Sequence, residues 1–139
     1  LYRSGDRAIR YIEDVQPDLL RVQARTNELK EVLINLIENS RAAMNGAGDI
    51  VLSAYAVDEQ VVEIEVADNG PGIPEELLAR IFEPHFSTRS SGTGLGLAIV
   101  RRLVESWGGT VTAESGDGTV FRLRLLVFAA PGPATAPDS

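Results

Sequence analysis

Two glycine clusters, Gly70/Gly72 and Gly92/Gly94/Gly96, lie within one stretch, Asp68 to Leu97, DNGPGIPEELLARIFEPHFSTRSSGTGLGL. They constrain the fold more than any other feature of the chain. Glycine lets a backbone approach another group closely. The first cluster follows an alternating apolar run, VVEIEVA, so the Asp68 carboxylate is delivered where a strand ends and a turn begins. The second opens an apolar helical run, and the free N–H groups and positive dipole end of a helix N-terminus attract anions. A carboxylate at one cluster and an anion site at the other point to a nucleotide lying across the two.

A chain of 139 residues, 44% hydrophobic and 24% charged, suits one soluble globular domain with a real core. The formal net charge of −7 argues against nucleic-acid binding, which needs a basic stripe that this sequence lacks. Any phosphate site must then be local, built from glycine amides, a helix end and a metal. There is no cysteine, so disulfides, zinc–thiolate centres and thiol nucleophiles drop out, and a cytoplasmic setting is expected. No run reaches the roughly 18 apolar residues of a membrane span, and LYRSGDRAIR is unlike a secretory signal. The expectation is a piece without direct membrane contact, compatible with a parent anchored in the inner membrane.

Along the chain, Ala8, Ile9, Ile12 and Val15 recur at helical spacing before Pro17, which predicts a short amphipathic helix within residues 1–15. DLLRVQA, Asp18 to Ala24, alternates and predicts a strand. Thr26 or Asn27 can cap the next helix. From Glu28 to Met44 the residues Leu29, Val32, Leu33, Leu36 and Ile37 recur at threes and fours, which predicts a helix with one core stripe. Asn35 and Asn39, four apart, lie one turn above each other on it. Asparagine is a mediocre helix former, so two in mid-helix need a reason. Two strands are expected at Asp49–Val57 and Val61–Ala67, and a short helix from Pro74 through LLARIF. A loop follows from Glu83 to Ser91, then a helix from Leu95 or Gly96 to Trp107, and a closing hairpin of Thr110–Glu114 and Val120–Val127. The tail APGPATAPDS is Pro/Ala-rich and reads as disordered. Such an order predicts an α+β fold: a two-layer sandwich of three to four helices on one face of a mixed, mostly antiparallel five-stranded sheet.

Four blocks stand in order: NLIEN, DNGPGIP, FEPHFSTR and GTGLGLAIV. Together they resemble the N, G1, F and G2 boxes of the catalytic, ATP-binding domain of sensor histidine kinases, with a Bergerat-type fold, over roughly Leu19 to Val127. FEPHFSTRSSGTGLGLAIVRRLVESWGGTV is similar to the nitrogen-regulation type. The resemblance implies residues 1–17 as a junction to a missing dimerisation domain, 18–128 as the ATP-binding kinase domain and 129–139 as a tail.

It also implies roles. Asp68 would accept a hydrogen bond from the adenine exocyclic amine, the other reading being a turn-capping aspartate. Gly70 and Gly72 would allow the tight turn beside the nucleotide. Asn39 would place its amide oxygen on Mg²⁺, which takes one or two protein ligands plus phosphates and waters, and Asn35 would support the water shell or the phosphates. Gly92, Thr93, Gly94, Leu95 and Gly96 would bring backbone amides to the phosphates. Thr119 would lie near adenine, or be a plain hairpin threonine. The family often carries a basic residue one turn after the metal asparagine, but Ala42 and Ala43 stand there, which leaves Arg41 and Arg89 as candidate cations. Phe82 and Phe86 resemble lid anchors and docking residues, with core packing the alternative for Phe82.

A histidine kinase passes the γ-phosphate to a histidine on a separate helical domain. The sole histidine, His85, sits in the F box rather than in a helical His-acid setting, so the phosphoacceptor is expected elsewhere, with a response regulator downstream of the parent. The rival readings are an ATPase of the superfamily that includes gyrase, an anti-sigma serine kinase and a non-catalytic docking module. The ATPases commonly place a glutamate base where Asn35 stands, and an amide cannot accept the proton of an attacking water.

Overall fold

The computed structural model describes residues 9–19, 21–44, 47–84 and 96–127. Five strands, β1 (Ile9–Val15), β2 (Gly48–Ala56), β3 (Val61–Asp68), β4 (Thr110–Ser115) and β5 (Thr119–Leu126), form one sheet in the order β1-β2-β3-β5-β4. Three helices are described: α1 (Thr26–Ala43), α2 (Glu75–Leu78) and α3 (Gly96–Ser106). Only β1 and β2 pair in parallel, from Ile9 opposite Gly48 to Val15 opposite Ala54, and the other pairs are antiparallel. Parallel neighbours need a long crossover, and α1 supplies it. The architecture is the expected α+β sandwich of helices on one face of a mixed sheet.

The core lies between the helices and that face. Alternate residues of β3 (Val62, Ile64, Val66) and β5 (Phe121, Leu123, Leu125) are buried there. Against them α1 sets Val32, Leu36 and, after its last turn, Met44, while α3 sets Val100 and Val104. Trp107, just beyond α3, donates its Nε1–H to Glu28 Oε1 at 2.9 Å and so ties the end of α3 to the first turn of α1.

Two expectations fail near the N-terminus. Ile9–Val15 is a strand, not a helix. IRYIEDV fits both periods, and its Ile, Tyr and Val content suits a pleated edge that β2 can pair. Among the described residues of the segment 18–24 no strand forms; Val22 makes a bridge, to Val127, with the Gln23 N–H on the Leu126 carbonyl at 2.8 Å. Asp18 adopts φ 59 after Pro17, and this left-handed turn uses up the length a strand would have needed. Neither Thr26 nor Asn27 caps α1: the N-cap is Arg25, without a side-chain hydrogen bond. The helix at Pro74 is also shorter than expected, ending at Leu78 and passing into turns closed by Arg80 N–H to Leu77 O and Glu83 N–H to Arg80 O.

The helix-free face of the sheet carries a charge cluster. Glu63, 3% exposed, holds Arg124 Nε and Arg122 Nε each at 2.9 Å and accepts the Tyr55 hydroxyl. Glu65 lies 2.8 Å from the same Tyr55 hydroxyl, whose one proton the two carboxylates share, and accepts from Arg122 at 3.2 Å. Burial pushes the Glu63 carboxyl up, but hydrogen bonding within the cluster and the charge of Arg122 outweigh it and bring its pKa from 4.5 down to about 2. A carboxylate with a depressed folded-state pKa stabilises the fold above its unfolded pKa and loses that contribution as pH falls. Thermal midpoints should therefore drop as pH goes from 4.5 toward 2, and Glu63→Gln should flatten that part of the curve. An unchanged slope in the variant would place the acid sensitivity elsewhere.

Candidate nucleotide site

Asp68 ends β3 opposite Thr119, which opens β5. Its Oδ1 accepts the Gly70 N–H at 2.9 Å and the Thr119 N–H at 3.3 Å, while Oδ2 has no partner among the described residues. Two backbone donors thus fix the carboxylate and leave one oxygen to accept from a ligand. The turn-capping and ligand-binding readings are therefore not exclusive, since Oδ1 caps the turn and Oδ2 has no partner among the described residues. Thr119 is 5% exposed and meets Asp68 through its backbone.

The DNGPG turn is held on three sides. Toward β2, Asn69 Oδ1 accepts the Asp49 N–H at 2.8 Å. Toward α1, a Cβ added to Gly70 would lie 3.0 Å from Met44 Cγ. Toward the β4–β5 turn, Gly72 has φ +84 and a Cβ there would lie 2.6 Å from Ser115 Oγ. The closest approach is at Gly118, whose added Cβ would fall 2.0 Å from the Asp68 carbonyl oxygen, so no other residue fits without moving β3.

At the other end, Gly96 opens α3, and a Cβ there would lie 3.3 Å from Asn35 Oδ1. Helix α3 has no acidic residue in its first turn, so no carboxylate of that turn competes for its N-terminus. Helix α1 therefore touches both glycine clusters, through Asn35 near its middle and through Met44 just past its end. Asn39, half-buried, stands between them one turn from Asn35. Among the described residues no group of three or more His, Cys, Asp or Glu could hold a metal. The donor set that fits a hard cation here is amide oxygen plus phosphate.

Of the two candidate cations, Arg41 binds Glu38 through Nη1 at 3.2 Å. Its partner Glu38 is 61% exposed at its side chain. Phe82 is half-buried with its ring edge-on to Phe121, centroids 6.4 Å apart, which is the packing alternative. Arg89, Gly92, Thr93, Gly94, Leu95, His85 and Phe86 lie outside the described residues. Sequence reasoning missed Ser115, Asn69, Gly118 and Met44. The Gly-Asp-Gly before Thr119 was a signal for Gly118, but nothing local marks Ser115.

The family described as histidine kinase-, DNA gyrase B-, and HSP90-like ATPase, HATPase_c, matches residues 24–128. The sensor histidine kinase ZraS of Klebsiella oxytoca is 43% identical over 89% of this chain and 27% of its own length. The sensory histidine kinase/phosphatase NtrB of Rhodobacter capsulatus is 36% identical over 84% of this chain and 36% of its own. The chain thus spans between a quarter and two fifths of these relatives. Full-length ShkA in complex with AMPPNP superposes with a TM-score of 0.76 at 34% identity, over 91% of this chain and 27% of that one. No described helix is long and apolar enough to cross a membrane. The chain belongs to the HATPase_c family, as an ATP-binding domain of the sensor-histidine-kinase type.

Proposed function

We propose that this chain binds Mg-ATP and transfers the γ-phosphate to a histidine on a separate helical dimerisation domain, within a two-component pathway whose response regulator acts downstream of the parent. The observation that carries the reading is α1 joining an anchored carboxylate, Asp68, to a glycine-led helix N-terminus at Gly96. In this reading Asp68 Oδ2 accepts from the adenine amine, and the DNGPG turn forms the wall of the purine pocket. The amides around Gly92–Gly96 and the start of α3 hold the phosphates, aided by Arg89. Asn39, supported by Asn35, would hold Mg²⁺, which neutralises phosphate charge when bound. Phosphoryl transfer asks mainly for positioning. A nitrogen of the acceptor histidine attacks the γ-phosphorus, the bond to the β–γ bridging oxygen breaks, and ADP leaves. Phe82 and Phe86 would meet the acceptor domain in this reading, and the acting compartment is the cytoplasm.

Asn35 favours transfer over hydrolysis, because an amide offers no base to water, and Glu38, one residue from Asn39, points roughly 100° around the helix from it. The test is γ-labelled ATP with this chain and added dimerisation domains of sensor kinases. Label should appear on the acceptor histidine and not on His85. ATP binding without transfer to any acceptor, or a phosphohistidine at residue 85, would overturn the kinase reading.

A further inference from the structure

We infer that Ser115 is a positioning residue of the nucleotide site, acting through Asp68 to set adenine selectivity; this rests on the ATP reading above. Ser115 closes β4, on the far side of β5 from β3. Its half-buried hydroxyl accepts the Ile73 N–H at 2.6 Å and lies 3.2 Å from the Gly118 carbonyl, to which it donates. One side chain thus clamps the DNGPGI turn to the β4–β5 turn, and each clamped segment feeds the same carboxylate oxygen. Gly70, three residues before Ile73, donates to Asp68 Oδ1 from one side, and Thr119, next to Gly118, donates from the other. The Gly118 carbonyl also accepts the Gly116 N–H at 3.0 Å, which fixes the turn that presents it. Packing leaves little slack: Gly72 sits against Ser115 Oγ and the Gly116 and Gly118 carbonyls, and Gly118 sits against the Asp68 carbonyl.

Losing the hydroxyl leaves the partly buried Ile73 N–H without its acceptor and lets the two turns separate. Separation lengthens the Thr119 contact, the weaker of the two holding Asp68. The carboxylate then gains freedom, and the loss falls on the ligand group that Asp68 reads, the 6-amino group, rather than on the phosphates. Threonine keeps the hydroxyl and suits a strand end, so it should restore the clamp.

The experiment is calorimetry of the intact chain with ATP and with purine riboside triphosphate, which lacks the 6-amino group, plus thermal midpoints. Wild type should prefer ATP. Ser115→Ala should weaken ATP about tenfold, the scale of one well-made hydrogen bond network lost, and move the deaminated analogue by less than about twofold. Its Mg²⁺ dependence should persist, and Ser115→Thr should recover the preference. Equal weakening of both nucleotides would mean a merely structural serine and overturn the inference, as would no change in either. A wild type that binds neither nucleotide, or both alike, would sink the ATP reading itself, a different outcome from any shown by the variant.

Discussion

Asp68→Ala is expected to abolish measurable ATP binding, with a loss of at least about a hundredfold in calorimetry. Truncation removes both carboxylate oxygens, so it strikes twice. The ligand loses its acceptor, and the Gly70 and Thr119 N–H groups lose the oxygen that pairs them. A buried donor left unpaired costs about 1–3 kcal/mol, and a missing charge-assisted bond to the ligand adds a similar amount. Asp68→Asn separates the effects. It keeps an oxygen for the two backbone donors but presents an NH₂ group to the adenine amine, so the fold should survive while adenine preference is lost. Unchanged ATP affinity in the alanine variant would sink the adenine assignment.

The second large effect is expected at Asn39. Asn39→Ala should remove the Mg²⁺ dependence of ATP binding and, with an acceptor domain present, lower phosphotransfer by at least about a hundredfold, the scale of one lost electrostatic stabiliser in a preorganised site. The side chain is half-buried on an 18-residue helix whose core stripe is formed by other residues, so the fold should tolerate the change. Titrating Mg²⁺ against fixed ATP checks it: a variant that still responds to the ion as the wild type does has its ligand elsewhere. Asn35→Ala is the useful companion, because Asn35 abuts Gly96 and a loss confined to the phosphate end separates it from Asn39.

Strong periodicity is what made much of this legible in the sequence. The stripe of α1, the alternation of VVEIEVA and the helix after Gly96 each follow one period cleanly, and the structure has them within two residues of the expected ends. IRYIEDV follows two periods at once, and only the presence of β2, whose paired residues lie 39 positions later in the chain, decides between them. DLLRVQA alternates like a strand, yet the turn at Asp18 leaves it a single bridge. Of the candidate residues, Asp68, Gly70, Gly72 and Thr119 were readable as candidates because each lies in a short recognisable block. Ser115 was not, since its meaning lies in a hydrogen bond to Ile73 across the sheet order, and no spacing within a strand encodes that.

Because α1 and the cap residue that ends it reach from Asn35 beside Gly96 to Met44 beside Gly70, the helix serves as a ruler for the site. Nine residues at about 1.5 Å of rise each separate the two marks by roughly 14 Å along a rod that bends little. The parallel pairing of β1 with β2 encloses that rod as a crossover, so it cannot slide without breaking ladder bonds. The spacing of the two glycine clusters is thereby fixed by helix geometry, and on the proposed reading a bound nucleotide would have to match it.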